Sequence, residues 1–315
     1  MTASSQHRLL NLAHTVLLVS GIAAICWLVL SLLLSPGLAL AVSAGIAGAM
    51  MISPGLSPQS VLRAYGARKL TDREFPQAVT MLHELARRAG LPAVPDLYYL
   101  PTSVPNAFAT GSVSNSAVCV SDGLLRILNQ REFAGVLAHE VSHIAHRDLW
   151  IMGFADMMSR AVSLASYVGQ FLLIINLPLA LMGAKLVPWL VPLLLIIAPT
   201  LVSLLQLALS RSREFDADRG GATLSGDPMG LASALAKLER RTGRFWEELV
   251  LPGRRIPDPS LLRSHPKTED RIARLRDLAE TRPRAPAHPQ TNLPVPVKIV
   301  RVERRPRLHW TGLWH

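Results

Sequence analysis

The sequence predicts an α-helical membrane protein with four transmembrane helices and a mainly α, α+β extramembrane domain assembled from two separated stretches of chain. Three observations carry this expectation. Half of the 315 residues are hydrophobic and the mean hydropathy is +0.28, while aromatics make up only 5%, so the apolar share is aliphatic, as suits lipid-facing helices. No Lys, Arg, Asp or Glu occurs between Arg8 and Arg63, and only Lys185 occurs between Ala161 and Ser210. The remaining stretches carry capped helical periodicity and short alternating strands, the marks of a folded soluble region.

The segment 1–56 reads as a transmembrane hairpin. Its apolar blocks, about Leu12 to Leu34 and Leu38 to Met51, are split by Ser35, Pro36 and Gly37. A helix rising ~1.5 Å per residue needs about 20 residues to cross ~30 Å of hydrocarbon. The first block is too long for a signal-peptide core and has no clear small-residue cleavage site, so it is expected to be a retained anchor.

Residues 57–150 read as the first half of the extramembrane domain. Leu70 to Ala89 has Phe75, Val79, Leu82, Leu85 and Ala86 at helical spacing and stops at Gly90. Asp96 to Leu100, Asn106 to Thr110 and Ser116 to Val120 are strand candidates. Asn129 with Glu132 three residues on is a variant of the capping box, and it opens a helix whose apolar stripe of Phe133, Val136, Leu137 and Val141 runs to about His146.

A second hairpin is expected over 151–209, with spans at about Ala161 to Met182 and Leu186 to Leu209 and with Pro192 and Pro199 tolerated as kinks. Residues 210–280 form the second half of the domain, with helices over Pro228 to Arg241 and Thr268 to Leu278. Segment 281–315, with six prolines and a net charge of +6, reads as a flexible basic tail whose Lys298 to Arg307 stretch can rest on anionic lipid headgroups. The hairpin tips are nearly free of Lys and Arg, so the positive-inside rule places both termini and the domain in the cytosol.

The overall charge of +11 fits basic loops facing anionic lipid, and with no aromatic-basic motif present no nucleic-acid partner is expected. Cys26 and Cys119 form neither a metal pair nor a disulfide framework.

The chemistry concentrates in LAHEVSHIAHRD. His139 and His143 lie at i and i+4 inside a helix and share a face, so both imidazoles can converge on one Zn²⁺, while Glu140 reaches the side where water binds. Zinc lowers the pKa of its water and the carboxylate takes the proton as that water attacks a carbonyl, which is the chemistry of peptide hydrolysis. A catalytic site of this type needs a third protein donor. Glu214, just past the last apolar run, is the candidate, and Asp218 one turn on can hold the second nitrogen of a ligating histidine; read from residues alone, the same charged run also fits a solvated helix end. His146 is too close to His143 for the metzincin pattern, and His83 fits a surface position.

LAHEVSHIAHRD, a membrane hairpin, SRSREFDADRGGA and SHPKTEDRIARL in succession resemble the HtpX-type membrane metalloproteases, bacterial relatives of the CAAX prenyl proteases. The resemblance covers about residues 57 to 280 and the four-span layout. It implies a gluzincin-like zinc protease domain with His139, His143 and Glu214 as zinc ligands, one Zn²⁺ per chain, Glu140 as general base and Asp218 as the ligands' supporting partner. It further implies His265 as an oxyanion stabiliser, Arg271 beside it, and Asn106 on a strand along the substrate cleft. Lys267 departs from the His-Pro-Pro pattern expected there.

The expected activity is zinc-dependent endoproteolysis of membrane or membrane-associated, misfolded proteins at the cytosolic face of the bacterial inner membrane, as part of protein quality control. A prenyl-protein protease and a catalytically silent membrane scaffold of the same fold are the alternatives. Substrate preference and oligomeric state are not encoded in readable form.

Overall fold

The computed structural model describes residues 3–52, 58–184, 186–249, 268–281 and 293–295. The chain divides into two compact units, one of Met1–Pro54 with Trp150–Ser212 and one of Gly55–Leu149 with Arg213–His315.

The first unit is helical. Helices α1 (Ala3–Leu33) and α2 (Pro36–Ile52) are joined by a tight turn. Two longer helices begin or end in the other unit: α7 (Asp148–Leu181) and α8 (Leu190–Ser225). Among the described residues three helices are long and apolar enough to cross a membrane: α1 over Thr15–Leu33, α7 and α8. The second apolar run of the expected four forms α2, whose apolar stretch among the described residues, Pro36–Gly45, is shorter than the other three.

Ile22, Cys26 and Val29 pack with Phe154, Met158, Val162, Leu195 and Val202, while Ile174, Leu177 and Leu181 are exposed. Such an outward aliphatic face suits lipid better than water. At the turn between α7 and α8, buried Asn176 donates to the Val187 carbonyl at 2.7 Å and accepts from the Leu186 and Val187 amides.

The second unit is built on a four-stranded sheet in the order β1-β2-β4-β3, comprising β1 (Arg68–Lys69), β2 (Asp96–Leu100), β3 (Ala107–Ser112) and β4 (Asn115–Ser121). β2 and β4 are parallel; the other pairs are antiparallel. Strand alternation sorts the side chains. Leu97, Tyr99, Val118 and Val120 face a core shared with helices α4 (Pro76–Ala89) and α6 (Gln130–Ala145), while Tyr98, Leu100, Ala117 and Cys119 pack against Leu62 of α3 (Pro58–Ala64).

Helix α4 starts later than periodicity suggests. Leu70 hydrogen-bonds into the sheet through the Leu97 carbonyl, and Glu74 accepts from the amide and hydroxyl of Thr71, so the chain turns before Pro76 supplies the first helical residue. It ends at Gly90 with φ 68°, a left-handed closure that glycine adopts without cost. A short helix α5 (Asp122–Ile127), capped by Ser121, follows β4.

The start of α6 is fixed several times over. The Asn129 side chain accepts from the Glu132 amide and Glu132 accepts from the Asn129 amide, both at 2.9 Å, completing the capping box. Buried Glu132 also takes Ser233 Oγ at 2.6 Å and Lys237 Nζ at 2.7 Å, both from α9 (Pro228–Leu249). Within the expected tail, Leu293 accepts from the Gln130 amide at 3.0 Å, Pro294 accepts from the Gln130 side chain, and Val295 is buried in the main core. This contact satisfies one of the amide donors that the first turn of a helix leaves open. The final helix, α10 (Thr268–Thr281), packs Leu275 against Leu231 and Leu235 of α9.

Candidate metal centre

Helix α6 carries His139 and His143 on one face, their rings 4.7 Å apart and nearly perpendicular. Helix α8 carries Glu214 and Asp218 with the same four-residue offset. The two helices cross at backbone contact because Gly220 and Gly221 present no side chains: a Cβ at Gly220 would collide with Ser142 Oγ, and one at Gly221 would lie 2.9 Å from the His139 amide nitrogen. Any larger residue would hold α8, and with it both carboxylates, away from the histidines.

Three donors converge. The two Nε2 atoms are 3.1 Å apart, His139 Nε2 is 3.4 Å from one Glu214 oxygen, and His143 Nε2 is 3.6 Å from the other. Among the described residues His139, His143 and Glu214 are the one group able to hold a metal ion. Ligands at ~2.0–2.1 Å in a tetrahedron would be separated by about 3.3 Å, which the three distances bracket.

The Nδ1 atoms explain why the Nε2 lone pairs point inward. His139 Nδ1 lies 3.1 Å from Asp218 Oδ1, and His143 Nδ1 lies 2.9 Å from Asp148 Oδ2. The hydrogen bond of His143 Nδ1 to Asp148 and the approach of His139 Nδ1 to Asp218 turn both Nε2 atoms toward one point, where a cation would take the place of a proton. Two imidazoles and a carboxylate form a nitrogen and oxygen donor set appropriate to zinc.

Each supporting carboxylate is itself paired with an arginine. Arg271 of α10 forks onto Asp218 at 2.6 and 2.7 Å and reaches Glu214 at 3.2 Å. Arg213 lies 3.5 Å from Asp148 and 2.8 Å from Asp216. Arg274 of α10 stacks over Phe215 of α8 at 3.7 Å, fastening the same two helices.

The electrostatics follow from these contacts. Burial alone would lower the basicity of both imidazoles, yet Asp218 and Glu214 outweigh it at His139, and Asp148 and Glu214 push His143 up to about 10. Burial would raise the Asp218 carboxyl, but the Arg271 guanidinium holds it below its ordinary value. Glu140 is 3% exposed, and its Oε1 makes no hydrogen bond among the described residues. A buried carboxylate oxygen without a donor is costly, and it is explained if the residue works on a proton from outside the protein.

The residues singled out in the sequence are placed as follows. His139, Glu140 and His143 share α6, and Glu214, Asp218 and Arg271 gather around them. His265 and Lys267 lie outside the described residues. Asn106 exchanges hydrogen bonds with Ser121 and not with the cluster. His146 turns its Nδ1 to Ser142, and His83 is exposed on α4. Asp148 and Arg213 escaped sequence reasoning. The signal for Asp148 was a carboxylate just beyond the end of the histidine helix; helical spacing hides it, because Arg147 adopts a left-handed φ of 58° and turns the chain back.

Comparison with known proteins places this geometry in a family. Residues 72–279 match peptidase family M48. A protease HtpX homolog of Paraburkholderia phytofirmans is 38% identical over 261 residues, covering 76% of this chain and 89% of that protein. One from Ralstonia nicotianae is 38% identical over 256 residues, covering 74% and 85%. The crystal structure of S. mikatae Ste24p aligns with a TM-score of 0.45 and 18% identity over 87% of this chain and 66% of that one, just under two thirds of its length. The chain belongs to peptidase family M48.

Proposed function

We propose that the protein is a membrane-embedded, zinc-dependent endopeptidase that hydrolyses peptide bonds of membrane or membrane-associated, misfolded proteins at the cytosolic face of the bacterial inner membrane. The observation that carries this reading is the convergence of His139, His143 and Glu214 with Glu140 buried beside them on the same helix. Relatives named as proteases and three helices fit to cross a membrane support it. The cytosolic assignment rests on the distribution of Lys and Arg.

His139, His143 and Glu214 would hold the ion, with Asp218 and Asp148 fixing the two rings. Zinc bound there supplies Lewis acidity toward a peptide carbonyl and toward water. Glu140 takes a proton from the attacking water as its oxygen bonds to the carbonyl carbon, and returns it to the amine nitrogen as the C–N bond breaks. By resemblance, His265 would steady the negative charge on the carbonyl oxygen, and Asn106 would flank an extended substrate beside β3, which is an edge strand of the sheet.

The test is Glu140→Gln in detergent-purified full-length protein. Zinc content should match wild type while cleavage of an unfolded membrane protein falls by at least about 10³-fold, within the range that general-base and electrostatic contributions reach. Undiminished cleavage by this variant would remove the mechanism.

A further inference from the structure

We propose that Asp148, assisted by Arg213, is the positioning residue for His143: it receives the Nδ1 proton and thereby sets which nitrogen, and at what angle, the ring offers to the metal. The inference rests on the zinc reading of the cluster. Asp148 is 1% exposed, and its Oδ2 lies 2.9 Å from His143 Nδ1. Five residues along a continuous helix would put the two side chains on different faces. The chain instead leaves α6 at His146 and passes through Arg147 in the left-handed region, where a residue with a Cβ is disfavoured by about 1 kcal/mol. That turn brings Asp148 back against the ring.

The second half of the pair comes from the helix that supplies the third donor. Arg213 directly precedes Glu214, is 8% exposed, and places Nη1 3.5 Å from Asp148 Oδ1. Its main ion pair is with Asp216 at 2.8 Å, and its Nε and Nη2 make no aligned hydrogen bond. One residue of α8 thus donates to the ion while its neighbour steadies the carboxylate behind the other ligand. A plain structural role for Asp148, as a negative charge in the first turn of α7, would require neither the bond to His143 nor the burial.

The experiment uses full-length protein in detergent, with Asp148→Ala, Asp148→Asn and Asp148→Glu compared with wild type. Zinc affinity is measured by competition with a chromophoric chelator, ligand geometry by the visible spectrum of the Co²⁺-loaded form, and fold by thermal unfolding of the metal-free form. Asp148→Ala should weaken zinc binding by about 10–100-fold and alter the Co²⁺ spectrum, while the metal-free protein still unfolds cooperatively at a lower temperature than wild type. Asp148→Asn, which still accepts a hydrogen bond but carries no charge, should fall between Ala and wild type, and Asp148→Glu should recover part of the loss. If Asp148→Ala does not fold, Asp148→Asn carries the test alone. Zinc affinity within about threefold of wild type with an unchanged spectrum, or lost thermal stability without lost affinity, overturns the assignment. Wild-type protein that binds no zinc, or Glu214→Ala that binds as tightly as wild type, overturns the metal centre itself and is recognisable as that separate failure.

Discussion

His139 and His143 are held by the same chemistry at two degrees of enclosure. Both offer Nε2 to the cluster and lean Nδ1 on a carboxylate backed by an arginine. Around His139 the arrangement is closed: the ring is 3% exposed, and Arg271 grips Asp218 with two short bonds while also touching Glu214. Around His143 it is looser: the ring is 14% exposed, and Arg213 divides itself between Asp148 and Asp216. The His143 side of the cluster is therefore the less enclosed of the two.

The comparison can be broken most directly at the two arginines. Arg271→Ala would strip buried Asp218 of its guanidinium and remove one of the groups beside Glu214, a defect that costs about 3–5 kcal/mol, visible in chemical or thermal unfolding. Arg213→Ala should cost less than half as much, because its contacts are longer and Asp216 is partly exposed. Equal losses would show that the two sides are enclosed alike.

A middle-sized effect is expected where α6 meets α8. Gly221→Ala drives a methyl into the backbone at His139, so α8 must shift, at about 1–3 kcal/mol and with weakened metal binding measurable by chelator competition. The same substitution at Gly48, whose Cβ would meet nothing within 4 Å, should leave metal binding untouched.

The pH dependence probes the looser side. With its pKa raised from 6.5 to about 10, His143 in metal-free protein contributes stability that is full below about 6.5 and fades as pH rises through about 10. Metal must displace that proton, so apparent zinc affinity should climb by about tenfold per pH unit for each proton released, measured between about pH 5.5 and 7.5. A flat profile would mean that Asp148 and Glu214 do not hold a proton on the ring. The smallest effect is expected for Arg147→Gly, which relieves a left-handed φ but adds freedom to the unfolded chain; the unfolding midpoint should move by less than about 1 kcal/mol in either direction.

Much of this is legible in the order of the amino acids. Asn129 and Glu132 announce the helix that carries HEVSH, and a four-residue offset fixes which side chains share a face in both α6 and α8. What stays illegible there is tertiary. Helix α4 loses its first turn because Leu70 prefers the sheet, and α5 is too short for periodicity to register. Asp148 reaches His143 only through a backbone reversal at an arginine, a residue type that gives no warning of one. Gly220 and Gly221 look like helix-weakening residues until the partner helix is set against them.

The hold of Arg271 on both Asp218 and Glu214 has a consequence for the order in which the protein is made. A nascent chain displays its histidine pair long before the ribosome reaches the acidic helix, and the arginine that steadies those acids emerges later still. The three-donor cluster can therefore close only after the acidic helix has been made, and its guanidinium brace is added last.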